Sequence, residues 1–164
     1  MMSFNMQGIP MFKRSLCWIV AIILIDQVSK YWILETFWSP TAPFSIPVTS
    51  FFDLVLVWNK GVSFGILASD NVYQQALIIG FTLLITCGLM IWLWRNQRPY
   101  LSVVLALIIG GALGNLIDRL RFQAVVDFLY VHVGSFSWPA FNVADTAISV
   151  GVVLLILDSF RKKA

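Results

Sequence analysis

The acidic side chains in the second half of the chain are the ones best placed to do chemistry. Asp127 lies in the apolar stretch 124–131, with no cation beside it. Asp145 follows Asn142 by three residues at the start of an apolar run, so Asn142 is predicted to cap a helix whose first turn contains Asp145. The simpler interpretation of Asp145 is a capping acid that the helix dipole favours. Asp127 has no comparable explanation, and the short chain between these segments allows the two acids to meet.

The pair formed by Asp127 and Asp145 suits the hydrolysis of a peptide bond. Two neighbouring carboxylates cannot both ionise, so one of them retains a proton. The ionised Asp can take a proton from water while the neutral Asp hydrogen-bonds the scissile carbonyl. This chemistry needs neither a metal nor a covalent intermediate, and we expect no cofactor.

The remaining residue inventory restricts other mechanisms. The chain has one His, His132, and two Cys, Cys17 and Cys87. A structural zinc site with four Cys/His ligands cannot be assembled from them, and a Ser-His-Asp triad would have to use His132.

Two further acids lie within or beside apolar runs and therefore require partners. Asp26 lies inside the first run, where a carboxylate costs about 2.5–3.5 kcal/mol on insertion scales. Lys30 is one helical turn away, which leaves open a structural ion pair or a direct role in the site. Asp118 follows the third apolar run, and its simpler interpretation is a pair with Arg119 or Arg121.

The composition indicates the class of fold that contains these acids. Of 164 residues, 59% are apolar and 12% charged, with a mean hydropathy of +0.85, whereas ordinary globular chains are about 45–50% apolar and about 25% charged. We expect one integral membrane domain, 1–164, folded as an all-α bundle of four transmembrane helices. The predicted spans are 16–34, 72–94, 101–117 and 143–160. Cys17 and Cys87 fall inside spans and are predicted to be buried, inert thiols rather than a disulfide.

The segments between spans predict strands, and the third span predicts close helix packing. Residues 51–58 are β-prone, 59–61 read as a turn and 62–67 as a second strand, while 124–131 is again more strand than helix. We therefore expect a small extracytoplasmic sheet with an apolar face. Ala106, Gly110 and Gly114 recur every four residues and allow another helix to approach closely.

The distribution of cations predicts the orientation in the membrane. Lys60, Arg119 and Arg121 fall on one side of a four-span chain, and seven cations fall on the other. Those seven are Lys13, Arg14, Arg95, Arg98, Arg161, Lys162 and Lys163. Both termini should therefore be cytoplasmic, with outer loops at about 35–71 and 118–141. This asymmetry also explains the pI of about 9.1, so no nucleic-acid partner is needed.

Five motifs in order along the chain closely resemble the lipoprotein signal peptidase (signal peptidase II) family of bacterial inner-membrane aspartyl peptidases. They are Asp26–Lys30, Asn59–Gly65, Gly110–Arg119, Val125–Phe128 and Phe141–Asp145. Each motif alone is weak, but five in order on a four-span chain are very specific. The resemblance extends over residues 16–160 and leaves 1–12 outside the pattern.

The resemblance implies an activity and a set of site residues. It makes Asp127 and Asp145 the catalytic dyad, and it implies residues that surround or orient that dyad: Asp26, Asn59, Gly61, Asn115, Asp118, Arg119 and Asn142. The implied substrate is a prolipoprotein whose Cys already carries diacylglyceryl, cut just before that Cys. The outer sheet resembles the family's substrate cradle. Membrane lipid is the other expected partner, and the chain is expected to act as a monomer.

Two other functions are consistent with parts of the sequence. An ion or proton transporter could use Asp26, Asp118 and Asp145 as a relay. However, four spans provide few helices to line such a pathway, and the acids gather at one end of the bundle. A non-catalytic scaffold would leave Asp127 unexplained.

The predicted orientation can be tested by cysteine-accessibility labelling. A cysteine at Ala164 should react only from the cytoplasmic side and one at Lys60 only from the outside, because seven cations mark the cytoplasmic face. An outward C-terminus would contradict both the topology and the placement of the site.

Overall fold

The computed structural model describes residues 8–39, 41–61 and 72–161, and within them the chain forms four long helices and a small sheet. The helices are α1 (Gly8–Phe37), α2 (Val72–Arg95), α3 (Pro99–Phe122) and α4 (Val143–Arg161). The strands are β1 (Ser45–Thr49), β2 (Phe52–Asn59), β3 (Val125–Val133) and β4 (Phe136–Ser137). All four helices are long and apolar enough to span a membrane, which confirms the predicted fold class. The predicted strand 62–67 lies outside the described residues.

Helix α3 is the centre of the bundle, because α1, α2 and α4 all pack against it. Glycines on α3 make this packing close. A Cβ built on Gly110 would lie 2.9 Å from the Ile22 Cβ of α1, and one on Gly114 would lie 2.6 Å from an Asp26 carboxylate oxygen. Gly111 faces α4 and leaves no room for a Cβ beside the Ala144 carbonyl. The predicted contact of the small-residue stripe with another helix is confirmed.

The antiparallel sheet brings β3 to the start of α4. Its described strands are ordered β1-β2-β3-β4, and the β2–β3 register places Val57 opposite Asp127. The backbone of Phe141 pairs with Leu129 of β3, its N–H donating to the Leu129 carbonyl at 3.0 Å. Since Phe141 immediately precedes Asn142, the sheet holds Asp127 next to the first turn of α4.

Two helix boundaries differ from the prediction. Helix α3 ends at Phe122 rather than 117, so Asp118 and Arg119 lie inside the helix and not in an outer loop that begins at 118. The helix stops at Gln123, which adopts left-handed φ of 55° and donates its N–H to the Arg119 carbonyl. Helix α1 begins at Gly8, well before residue 16, and its Lys13 and Arg14 are exposed.

The prediction that the cysteines are buried is wrong. Cys17 and Cys87 are both free, as predicted, but both are exposed on the surface of the bundle. An apolar run in a membrane helix meets lipid as readily as protein, so apolar surroundings in the sequence do not imply burial inside the fold.

The glycine packing predicts unequal effects of two glycine-to-alanine changes. Gly111→Ala forces a methyl group into the α4 backbone and should destabilise the protein by about 1–3 kcal/mol. Gly80→Ala on α2 is the matched control, because nothing lies within 4 Å of its built Cβ, and it should be neutral or stabilising by up to about 1 kcal/mol. Thermal unfolding in detergent measures both variants. Equal stability of the two would contradict the packing of α3 on α4.

Candidate active site

Asp127 is a buried carboxylate held between two asparagines. It is only 1% exposed. Asn59 donates from Nδ2 to its Oδ2 at 2.9 Å, and Asn142 donates from Nδ2 to its Oδ1 at 2.7 Å. The sheet explains the first contact, because Asn59 lies two residues beyond Val57, the cross-strand partner of Asp127, and side chains at i and i+2 share a face.

Asp145 lies in the first turn of α4 and forms the predicted capping arrangement with Asn142. The Asp145 N–H donates to Asn142 Oδ1 at 2.9 Å, and the Asn142 N–H donates to Asp145 Oδ2 at 3.2 Å. Asn115 of α3 donates from Nδ2 to the other oxygen, Oδ1, at 2.8 Å. Asp145 is therefore oriented by two asparagines, in the same way as Asp127.

Asn142 is the residue that joins the two acids. It is fully buried, its side-chain amide donates to Asp127, and its backbone N–H donates to Asp145. Both acids line the same cavity. The structure thus brings together the two carboxylates that the sequence singled out.

Lys30 lies between the two other buried acids. Its Nζ is 2.8 Å from Asp26 Oδ2 and 2.8 Å from Asp118 Oδ2, and it donates to Asn115 Oδ1 at 2.9 Å. Of the two alternatives left open for Asp26, the ion pair with Lys30 is present. The pairing of Asp118 with Arg119 or Arg121 is wrong, because Asp118 is inside α3 and faces α1.

Asp26 and Asp118 each hold the backbone next to a dyad aspartate. Asp118 Oδ2 accepts the Val126 N–H at 3.1 Å, and Asp26 Oδ1 accepts the Ala144 N–H at 2.9 Å. Val126 directly precedes Asp127, and Ala144 directly precedes Asp145. These acids therefore orient backbone segments rather than lining the cavity themselves.

Gln27 is a site residue whose role is not evident from the sequence. It donates from Nε2 to Asp118 Oδ1 at 2.9 Å and to the Gly114 carbonyl at 3.2 Å. The central position of Lys30 between two acids was also missed, since its spacing in sequence points only to Asp26. Neither role has a local signal, because Asp118 is 91 residues from Gln27 in the chain.

Arg119 and Gly61 complete the set of predicted residues. Arg119 is buried, lines the cavity and donates from Nη2 to the Gly61 carbonyl at 3.0 Å. The Gly61 N–H donates to Asn59 Oδ1 at 3.0 Å, which links this turn to the partner of Asp127.

The cavity beside the dyad has a polar end and long apolar walls. Its volume is about 1180 Å³. Asp127, Asp145, Asn59, Asn115 and Arg119 line the polar end. The apolar walls come mainly from α2, with Leu77, Phe81, Ile85 and Leu89, and from the segment 138–141, and α3 and α4 add to them. The cavity can therefore accept a ligand that combines a polar group with a long apolar part.

Electrostatics give Asp127 an unusual protonation state. Burial and, after it, the charge of Asp145 raise the pKa of Asp127 to about 7, against the hydrogen bonds from Asn59 and Asn142 and the charge of Lys30, which lower it. Near neutral pH this carboxyl therefore retains a proton in a substantial fraction of molecules, as an acid that donates to a carbonyl requires. Among the described residues, no three His, Cys, Asp or Glu side chains are grouped to hold a metal ion.

Comparison with known proteins gives consistent matches over nearly the whole chain. A family model described as "Signal peptidase (SPase) II" matches residues 18–161. A lipoprotein signal peptidase of Azoarcus sp. (strain BH72) is 44% identical over 157 residues, covering 93% of this chain and 87% of the relative. A lipoprotein signal peptidase of Burkholderia vietnamiensis (strain G4 / LMG 22486) is 49% identical over 145 residues, covering 86% of this chain and 84% of the relative. A solved bacterial membrane enzyme superimposes with a TM-score of 0.79 at 27% identity, covering 93% of this chain and 90% of that one.

The position of Lys30 predicts a large loss of stability when its charge is removed. Lys30→Met leaves Asp26 and Asp118 buried without their cation, which should destabilise the protein by about 3–5 kcal/mol. Lys13→Met is the control, because Lys13 is exposed on the same helix. Adding Asp118→Asn to Lys30→Met should restore part of the loss. A Lys30→Met protein as stable as Lys13→Met would contradict the ion cluster.

Proposed function

Since this chain belongs to the signal peptidase II family, the peptidases that process lipoprotein signal peptides, we propose that it is an aspartic endopeptidase. Its substrate is a prolipoprotein whose Cys carries diacylglyceryl, and the bond cut lies just before that Cys. One observation carries the proposal: Asn142 bonds to both Asp127 and Asp145 at the polar end of a cavity.

The proposed mechanism uses the two aspartates in different protonation states. Asp145 is the ionised member, because it lies in the first turn of α4, where the helix dipole favours negative charge. It takes a proton from water, whose oxygen attacks the scissile carbonyl carbon. Asp127, with its raised pKa, is protonated and donates to the carbonyl oxygen. Collapse of the tetrahedral intermediate breaks the C–N bond, returns a proton to Asp127 and passes the proton on Asp145 to the leaving amine.

The cavity supports a lipid-bearing substrate. Its polar end holds the dyad, while its apolar walls belong to helices that are long enough to span a membrane. Acyl chains can therefore remain in apolar surroundings while the scissile bond meets the acids and water. A transporter is not favoured, because Asp26, Asp118 and Asp145 converge on one cluster instead of being spread across the bundle.

The location follows from the same proposal. We place the chain in the bacterial inner membrane with both termini cytoplasmic and the dyad toward the outer face, in keeping with the cation distribution. The partners are lipid-modified prolipoproteins and membrane lipid. The chain acts as a monomer, without a cofactor and without nucleic acid.

Substitution of the dyad tests the proposed chemistry. Asp127→Asn and Asp145→Asn should each abolish cleavage of a lipid-modified precursor, because Asn neither takes a proton from water nor acts as an acid. The double variant should be little worse than either single one, since groups that act as a unit are non-additive. Asp118→Asn should retain some turnover, because Asp118 holds the Val126 N–H and does not line the cavity. The measurement is turnover per folded molecule.

Asp53→Asn is the matched control for these variants. Asp53 lies on β2, and its Oδ1 is 3.4 Å from His132 Nε2, away from the dyad. Its activity should equal that of the unmodified chain. Clear cleavage by Asp127→Asn, together with none by a folded Asp118→Asn, would transfer the dyad to Asp118 and Asp145.

A further inference from the structure

The turn after β2 is held by side chains from two helices. Gln75 of α2 donates from Nε2 to the Lys60 carbonyl at 2.5 Å, and Arg119 of α3 donates to the Gly61 carbonyl at 3.0 Å. Two successive carbonyls are thus bound by donors that come from outside the sheet. Gln75 is 5% exposed, so the donor of this hydrogen bond is buried.

This turn determines which way the Asn59 amide faces. The Gly61 N–H donates to Asn59 Oδ1, which leaves Nδ2 to donate to Asp127. A flipped amide would put its NH₂ group against the Gly61 N–H and its oxygen against the Asp127 carboxyl, so the first contact would be unfavourable and the second would be unfavourable whenever Asp127 is ionised. The position of the turn therefore controls a donor to Asp127.

The side chain of Gln75 is not explained by stability alone. Its Oε1 is buried without a hydrogen-bond partner in the part of the chain that the structure describes. An unpaired buried carbonyl destabilises a fold, so an apolar residue would be expected here unless the Nε2 contact had another use. Gln75 is also absent from the residues that line the cavity.

We propose that Gln75 is a positioning residue, which acts through the Lys60 carbonyl and the Asn59 amide to orient Asp127. This inference rests on the proposed peptidase function and adds to it a residue of α2 outside the five sequence motifs. Because Gln75 does not line the cavity, its loss should lower kcat and leave KM nearly unchanged.

The pH dependence distinguishes positioning from a general structural role. The charged groups that act on Asp127 are Asp145, Lys30 and Arg119, and none of them is altered by a change at Gln75. The Asn59 hydrogen bond lowers the pKa of Asp127. A loosened Asn59 should therefore raise that pKa. Activity that requires protonated Asp127 is lost as pH rises through this pKa. The alkaline limb of the pH–activity profile should therefore move to higher pH.

The experiment compares Gln75→Met with Gln74→Met in the full chain, using a lipid-modified precursor. Gln75→Met keeps the side-chain length and removes the donor, and kcat should fall by about fivefold to tenfold, as for loss of one positioning hydrogen bond. The alkaline limb should shift upward. Gln74 is the adjacent glutamine and its Nε2 has no partner among the described residues, so Gln74→Met should keep the original kcat and pH profile.

The results separate this inference from the proposed function. A folded Gln75→Met protein with unaltered kcat and alkaline limb overturns the role of Gln75, provided that the unmodified chain cleaves precursor. An unmodified chain that cleaves no precursor overturns the peptidase function instead. Where Gln75→Met does not fold, Gln75→Ala, which removes the donor without adding a charge near Asp127, undergoes the same measurement and must show the lowered kcat and the shifted limb.

Discussion

The structure of the site depends on one ammonium group placed between two buried carboxylates. Lys30 contacts Asp26 and Asp118 at 2.8 Å each, and without it these acids would be two like charges inside the bundle. Because each acid also accepts the backbone N–H of the residue before a dyad aspartate, the ion cluster orients both β3 and the start of α4. The third bond of Lys30 goes to Asn115, which donates to Asp145. The same contacts therefore balance the charges of the cluster and determine the geometry of the dyad.

Helix packing makes this cluster possible. The Lys30 side chain reaches α3 because α1 approaches it along Gly110 and Gly114, the latter lying directly against the Asp26 carboxylate. The sheet supplies the remaining constraint, since Asp127 reaches Asn142 only while β3 is paired with Phe141. The apolar walls of the cavity then place this polar end beside a region that suits lipid chains. Small residues, one cation and one backbone pairing together allow four membrane helices to hold two aspartates beside one cavity.

The sequence predicted the features that have a local signal. The four apolar runs, the Asn142 cap with Asp145 in its first turn, and Asp127 in a strand are all present. Features that arise from tertiary contacts were missed or wrong. Asp118 pairs with Lys30 of α1 and not with the arginines near it in sequence. Helix α3 continues to Phe122, because Gln123 supplies a left-handed cap without glycine. The two cysteines are exposed. The hydrogen bonds of Gln27 and Gln75 reach partners 91 and 15 residues away in the chain, and sequence spacing gives no indication of either contact.

The most direct test of the account is a titration of the Asp127 carboxyl in the intact chain. Carboxyl ¹³C NMR, with the resonance assigned through Asp127→Asn, would follow its protonation with and without Asp145→Asn. We expect a midpoint at about pH 7 in the unmodified chain, because burial and the charge of Asp145 both favour the protonated carboxyl. Removal of that charge should lower the midpoint. A midpoint near the ordinary aspartate value of about 3.9, unmoved by Asp145→Asn, would contradict the coupled dyad.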